Sequence, residues 1–176
     1  MKRWWIRKIA RLRGKILREK ASPEYIARGW ALGMFCGCLL PFGGQLVVSI
    51  PMSFLIKGSK VGAVLGTLIT NHFSIFVIYP AQCYVGNLLI GGDLSYGRIT
   101  AEIHRVISLA ENDGAVAALK GLMALGWDFA APFFIGGALL TLIMTPPTYF
   151  FVLHLVRRYR KRRDERLKRK SAAAAL

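Results

Sequence analysis

Three apolar blocks, at residues 25–56, 61–90 and 131–156, hold most of the hydrophobic side chains of this chain, and each is interrupted near its middle. The first is cut by Pro41-Phe42-Gly43-Gly44, the second by the polar knot Thr70-Asn71-His72, and the third by Pro146-Pro147. None is a clean run of the roughly twenty apolar residues that a straight helix needs to cross a bilayer. Whatever the chain folds into must accommodate helix breaks inside its greasiest segments.

Charge says which solvent those segments meet. The 176 residues are 54% hydrophobic, yet they carry a formal charge of +16. The first 24 residues hold nine Lys/Arg and two Glu, and residues 157–176 hold ten Lys/Arg and two acids. Residues 91–130 have three bases against five acids. Basic ends around an apolar middle are the layout of a membrane protein. A nucleic-acid partner is not expected, because no basic helix shares a face with base-stacking aromatics. The N-terminal basic region is too long for a cleaved signal peptide. Cys36, Cys38 and Cys83 lie inside apolar runs and read as small buried hydrophobes rather than as a disulfide or a metal site.

Local patterns place the helices. Trp5, Ile9, Leu12 and Ile16 share one face of a basic amphipathic helix within residues 1–21, suited to the anionic headgroup layer. Ser22-Pro23-Glu24 reads as a helix start: a capping hydroxyl, proline at the first position and an acid in the first turn. Ile99, Ile103, Val106, Ile107 and Ala110 form a helical stripe that Asn112-Asp113-Gly114 ends. A second short helix follows at 115–127, and both lie on the membrane surface or pack over the blocks. Residues 157–176 read as a basic cytoplasmic tail.

Both basic ends favour the cytoplasm, which requires an even number of crossings. The expected fold is therefore all-α, with two crossing helices (61–90 and 131–156), surface amphipathic helices (91–130) and a re-entrant helical hairpin (22–60). Each half of the first block is about 18 Å long at 1.5 Å per residue, enough to reach the midplane and no more. The hairpin tip would then be Pro41-Phe42-Gly43-Gly44, with the N–H groups of the second half-helix pointing into the membrane interior. A single kinked helix over 25–56 is the alternative. The crossing blocks also align with each other: "VGAVLGTLI" at 61–69 lies over "IGGALLTLI" at 135–143. One insertion at Met144 puts Asn71-His72 on Pro146-Pro147, the pattern of an inverted repeat.

Ser22-Pro23, the Ala-x-Gly-x-Ala-x-Gly of Ala27 to Gly33, Pro41 to Gln45, and Gly66-Thr67 through Asn71 together resemble the bacterial membrane family called domain of unknown function 2062. The likeness covers residues 20–92 well and 130–156 loosely. His72 stands where that family usually has proline. The resemblance implies a multi-pass protein of the bacterial inner membrane, set in envelope glycan or lipid-carrier metabolism, with no settled activity.

Catalysis finds little support. His72, His104 and His154 are scattered, and no nucleophile–base pair, metal-ligand spacing or cofactor motif appears. The candidate binding residues are Pro41, Gly43, Gly44 and Gln45 at the tip, and Asn71 and His72 in the second block. Polar groups at such depth are costly unless paired. Arg28 joins them as a phosphate ligand or as a charge that snorkels to the interface. The expected role is that of an integral inner-membrane protein of unassigned activity, with a small transporter or translocator of an anionic amphiphile such as a polyprenyl phosphate as its first candidate function. The alternative is a non-catalytic scaffold that docks a glycosyltransferase or another envelope enzyme. Membrane lipids are the partners in either case, with anionic headgroups meeting both basic ends.

Overall fold

A computed structural model describes residues 21–41, 44–68, 70 and 74–174, so the basic helix expected before Ala21 lies outside the described residues. The described residues form seven helices and no strand. They are α1 (Pro23–Leu39), α2 (Gly44–Leu55), α3 (Lys60–Thr67), α4 (Ile75–Leu89), α5 (Tyr96–Asn112), α6 (Ala115–Ala124) and α7 (Trp127–Ala174). Among them, α7 is the one long and apolar enough to cross a membrane by length and composition.

α1 starts as its sequence suggests: Ser22 Oγ accepts from the Tyr25 N–H at 3.2 Å, and Pro23 opens the helix. It stops because proline follows. Leu40 is pushed into an extended conformation (φ −105°, ψ 146°), as steric conflict with the Pro41 ring requires. The Gly44 N–H then closes the turn on the Pro41 carbonyl at 3.2 Å. α2 ends at a left-handed Lys57 (φ 50°), with the Gly58 N–H reaching back to the Ser53 carbonyl at 2.8 Å. The Ser59 N–H next donates to the Tyr25 carbonyl at 2.9 Å. A residue that follows α2 thus lies beside the start of α1. The first block is a helical hairpin, not one kinked helix.

Ser59 caps α3, its Oγ accepting from the Gly62 N–H at 3.1 Å. α3 then climbs along α1 in the same direction. A Cβ on Gly29 or Gly33 would run into the backbone of Ser59 or Ala63, and one on Gly37 would come within 2.8 Å of Thr70 Oγ1. Gly29, Gly33 and Gly37 recur every four residues, so one bare stripe of α1 lets the two backbones touch. Beyond the break, α4 crosses α7 in the opposite direction. Gln82 Nε2 donates to the Phe133 carbonyl at 2.9 Å, and Cβ atoms on Gly86 and Gly136 would meet the backbones of Pro132 and Gln82.

The stripe on α5 is buried as expected at Ile99, Ile103, Val106 and Ile107. It packs over the second block: α5 runs back along α4, with ring pairs Tyr84–Tyr96 at 5.5 Å and Phe76–His104 at 5.1 Å. Together with α6, Phe129 and Phe133 it forms the largest apolar core among the described residues.

One expectation is corrected. The third block is not broken at Pro146-Pro147: α7 runs through both prolines and through Pro132. An interior proline costs an α-helix about 3 kcal/mol or more. Packing on both sides offsets that cost. Upstream, α7 lies against α4. Downstream, Val152, Leu153 and Val156 pack on Ile26 and Ala27 of α1. The Thr148 hydroxyl also donates to the Met144 carbonyl at 2.7 Å, within the affected turn. The interruption of the second block therefore has no counterpart in the third.

Gly33→Ala should lower the melting temperature of the purified protein in detergent by several degrees, because overpacking typically costs about 1–3 kcal/mol. Gly44→Ala, where an added Cβ meets nothing within 4 Å, should leave it unchanged or raise it slightly. Equal melting temperatures for the two variants would refute backbone contact between α1 and α3.

Candidate functional site

Of the residues singled out by the sequence, Pro41, Gly44 and Gln45 are neighbours at the hairpin tip, and Arg28 lies apart from them. Pro41 is buried at the end of the first arm, and Gly44 begins α2 with open space around it. Gly43, Asn71 and His72 lie outside the described residues. Arg28 sits in the second turn of α1, about 20 Å from Pro41 by helical rise.

Gln45 has a partner. It is buried in the first turn of α2 and is bound at both ends of its amide to Thr70. Thr70 Oγ1 lies 3.0 Å from Gln45 Oε1, and Gln45 Nε2 donates to the Thr70 carbonyl at 3.4 Å. Gln45 therefore clamps the hairpin to the break in the second block. The Tyr79 hydroxyl adds a second tie, donating to the Leu40 carbonyl at 3.1 Å. Both contacts satisfy polar groups that a helix break leaves open.

Beside this junction is a cleft of about 420 Å3 between α1, α4 and α7. Met34 and Cys38 form one wall, Val77, Ile78, Ala81 and Val85 the second, and Leu139, Leu140, Ile143 and Met144 the third. Val77, Val85, Ile143 and Met144 are exposed where the cleft opens to the surface. Its two polar lining residues are Thr70 and Gln82. Gln82 is 4% exposed, and its Oε1 has no hydrogen-bond partner while its Nε2 is bound to Phe133. Thr141 Oγ1, on the neighbouring helix, is also buried without a partner. Each such atom costs about 1–3 kcal/mol.

Gln82 escaped the sequence analysis, although the signal was present. It is a lone amide in the apolar stretch at 75–90, and the rule that selected Asn71 and His72 applies to it equally. Asn87, in the same stretch, has an ordinary structural role: its Nδ2 donates to the carbonyls of Gly92 and Leu94 at 2.9 and 3.2 Å, closing the end of α4. Among the described residues no group of three His, Cys, Asp or Glu side chains could hold a metal ion.

The arrangement offers an almost wholly apolar slot, with the Gln82 amide oxygen enclosed behind its wall and the Cys38 thiol on one side.

No curated protein and no solved structure matches the chain. A family model described as "Uncharacterized protein conserved in bacteria (DUF2062)" matches residues 6–165. That match includes α5 and α6, which the likeness read from the sequence did not reach. The chain belongs to this bacterial family, domain of unknown function 2062.

Proposed function

We propose that the chain is a multi-pass protein of the bacterial inner membrane that carries an anionic amphiphile, such as a polyprenyl phosphate, from one leaflet to the other. The cleft is the observation that carries this reading. It opens sideways between apolar walls, at the level where α1 and α3 end, and an unpaired amide oxygen, Gln82 Oε1, is enclosed just behind its α4 wall. Broken helices meeting beside a polar point are the usual construction of a transporter's central site.

The surface supports a lipid surrounding. α2 is inside out: Gln45, Ser49 and Ser53, one turn apart, are buried, while Val47, Phe54 and Leu55 are 71%, 59% and 80% exposed. Water would favour the opposite orientation, by about 1.5–3 kcal/mol for each large apolar side chain. In this reading the α1–α2 hairpin enters from the cytoplasm and returns, α3 and α4 lead outward, and α7 leads back. α5 turns Arg98, Arg105 and Ser108 outward, so the layer it occupies is one that water or headgroups reach.

One observation favours a second reading, a scaffold that docks an envelope enzyme such as a glycosyltransferase. α7 continues to Ala174 as a helix, and the ten Lys/Arg of residues 157–176 begin where its packing on α1 ends. Two of them are used internally, since Arg157 pairs with Glu24 and Arg160 donates to the Ala21 carbonyl.

Complementation of a deletion strain's envelope-stress or antibiotic phenotype separates the two readings. Ala81→Trp fills the cleft from an exposed position and should abolish complementation at normal abundance. Truncation after Arg160 should preserve it. The reverse pattern favours the scaffold.

Topology is tested separately in a background lacking Cys36, Cys38 and Cys83. A cysteine at Lys57 should react with an impermeant maleimide only from the cytoplasmic side, and one at Asp93, in the exposed turn after α4, only from the other. Labelling of both from the same side contradicts the two-crossing path.

A further inference from the structure

Arg28 lacks the partner that its sequence provides. A glutamate four residues before an arginine on a helix is the favoured order for an ion pair, and Glu24 occupies that position. Glu24 is taken by α7 instead: Arg157 Nη2 donates to its Oε1 at 2.6 Å. None of the ion pairs among the described residues includes Arg28. Its Nε is enclosed and has no hydrogen-bond acceptor. The enclosed Nε cannot be reached from outside, but the Nη groups of this half-buried side chain are not enclosed, and an anion meeting them there offsets the cost of holding the cation.

The surroundings fit such an anion. Arg28 is one turn before Leu32 and two before Cys36, which pack with Met52 and Ile56 of the returning arm. It therefore stands on the hairpin side of α1, at the open end. The turn after α2 presses on the neighbouring residue: a Cβ on Gly58 would come within 3.1 Å of the Gly29 nitrogen. That turn carries Lys57, and Lys60 opens α3 just beyond it, its Nζ 3.9 Å from the centre of the Phe54 ring. Both lysines are exposed. Lys57 and Lys60 thus flank the turn that abuts Gly29, the residue after Arg28, beside the apolar outer side of α2.

We propose that Arg28, flanked by Lys57 and Lys60, seats the phosphate mono- or diester headgroup of a lipid at the mouth of the α1–α2 hairpin. This rests on the amphiphile reading above and gives it a loading point, about 9–15 Å along α1 from the Met34 and Cys38 wall of the cleft. The planar fork of Arg28 takes two phosphate oxygens at once, while the lysines act as point charges. The ligand's apolar chain lies along the exposed side of α2, where Phe54 and Leu55 project.

The test uses the full chain purified in dodecyl maltoside, titrated calorimetrically with farnesyl phosphate, farnesol and inorganic phosphate. Farnesyl phosphate should bind, and farnesol should not. R28Q should weaken binding about tenfold or more, R28K should fall between because it keeps the charge and loses the fork, and K120Q on α6 should match the wild type. Should R28Q fail to accumulate, R28K carries the comparison. Wild-type protein that does not bind farnesyl phosphate, or R28Q and R28K that bind it like wild type, overturns the seat. Inorganic phosphate binding as tightly as farnesyl phosphate overturns the lipid headgroup in favour of a free anion. A parallel measurement follows a fluorescent isoprenyl phosphate across vesicles containing the protein. Binding through Arg28 without movement leaves the seat standing and removes the carrier reading. Movement with normal binding by R28Q does the opposite.

Discussion

The inverted polarity of α2 is the constraint on which the other features depend. A helix that hides Gln45, Ser49 and Ser53 and displays Val47, Phe54 and Leu55 gains nothing from hydrophobic burial in water. In lipid the hydrophobic effect between helices is absent as well, so association must come from close packing and hydrogen bonds. Both are present. Gly29, Gly33 and Gly37 let the backbone of α1 approach α3, and Gly86 and Gly136 do the same where α4 meets α7. Small residues bring α1 to α3 and α4 to α7, while large apolar residues both fill the core under α5 and α6 and coat the outside of α2.

The helix breaks follow the same logic. Backbone that leaves a helix away from water must find partners within the protein. The Leu40 carbonyl receives the Tyr79 hydroxyl, and the Thr70 carbonyl receives the Gln45 amide. These ties make the junction of α1, α2, α3 and α4 one connected polar cluster. The C-terminal ends of α1 and α3 reach it together, so the positive end of α2 does not stand there alone. An anion is therefore better served at Arg28, where the charge is a full one and the nearby Glu24 is engaged by Arg157, than at the hairpin tip.

Local chemistry was readable from the sequence, and long-range packing was not. Ser22-Pro23 starts a helix, Pro41 ends one, and the stripe from Ile99 to Ile107 is buried, because each depends on residues within a turn or two. Pro146-Pro147 misled, because the contacts that hold α7 helical come from α1 and α4, more than fifty residues away in sequence. The glycines of α1 were visible as a motif, but their use depends on α3 lying alongside. Gln82 was hidden by its own segment: a lone amide among apolar residues draws less notice than the adjacent pair Asn71-His72. The partner that Arg28 loses could not be read at all, since Glu24 at the favoured spacing suggests an ion pair that Arg157 takes instead.

A nitroxide scan along α2, with the protein reconstituted in lipid bilayers, tests the inside-out fold most directly. Labels are placed singly at positions 45 to 55, and their collision rates with molecular oxygen and with a water-soluble nickel chelate are compared. Oxygen collisions should peak at 47, 50 and 54 with a helical period and fall at 45, 49 and 53. Nickel collisions should stay low from 46 to 54. Nickel collisions that peak at 47 and 54 would mean that this face meets water, and the membrane account of the fold would fail with it.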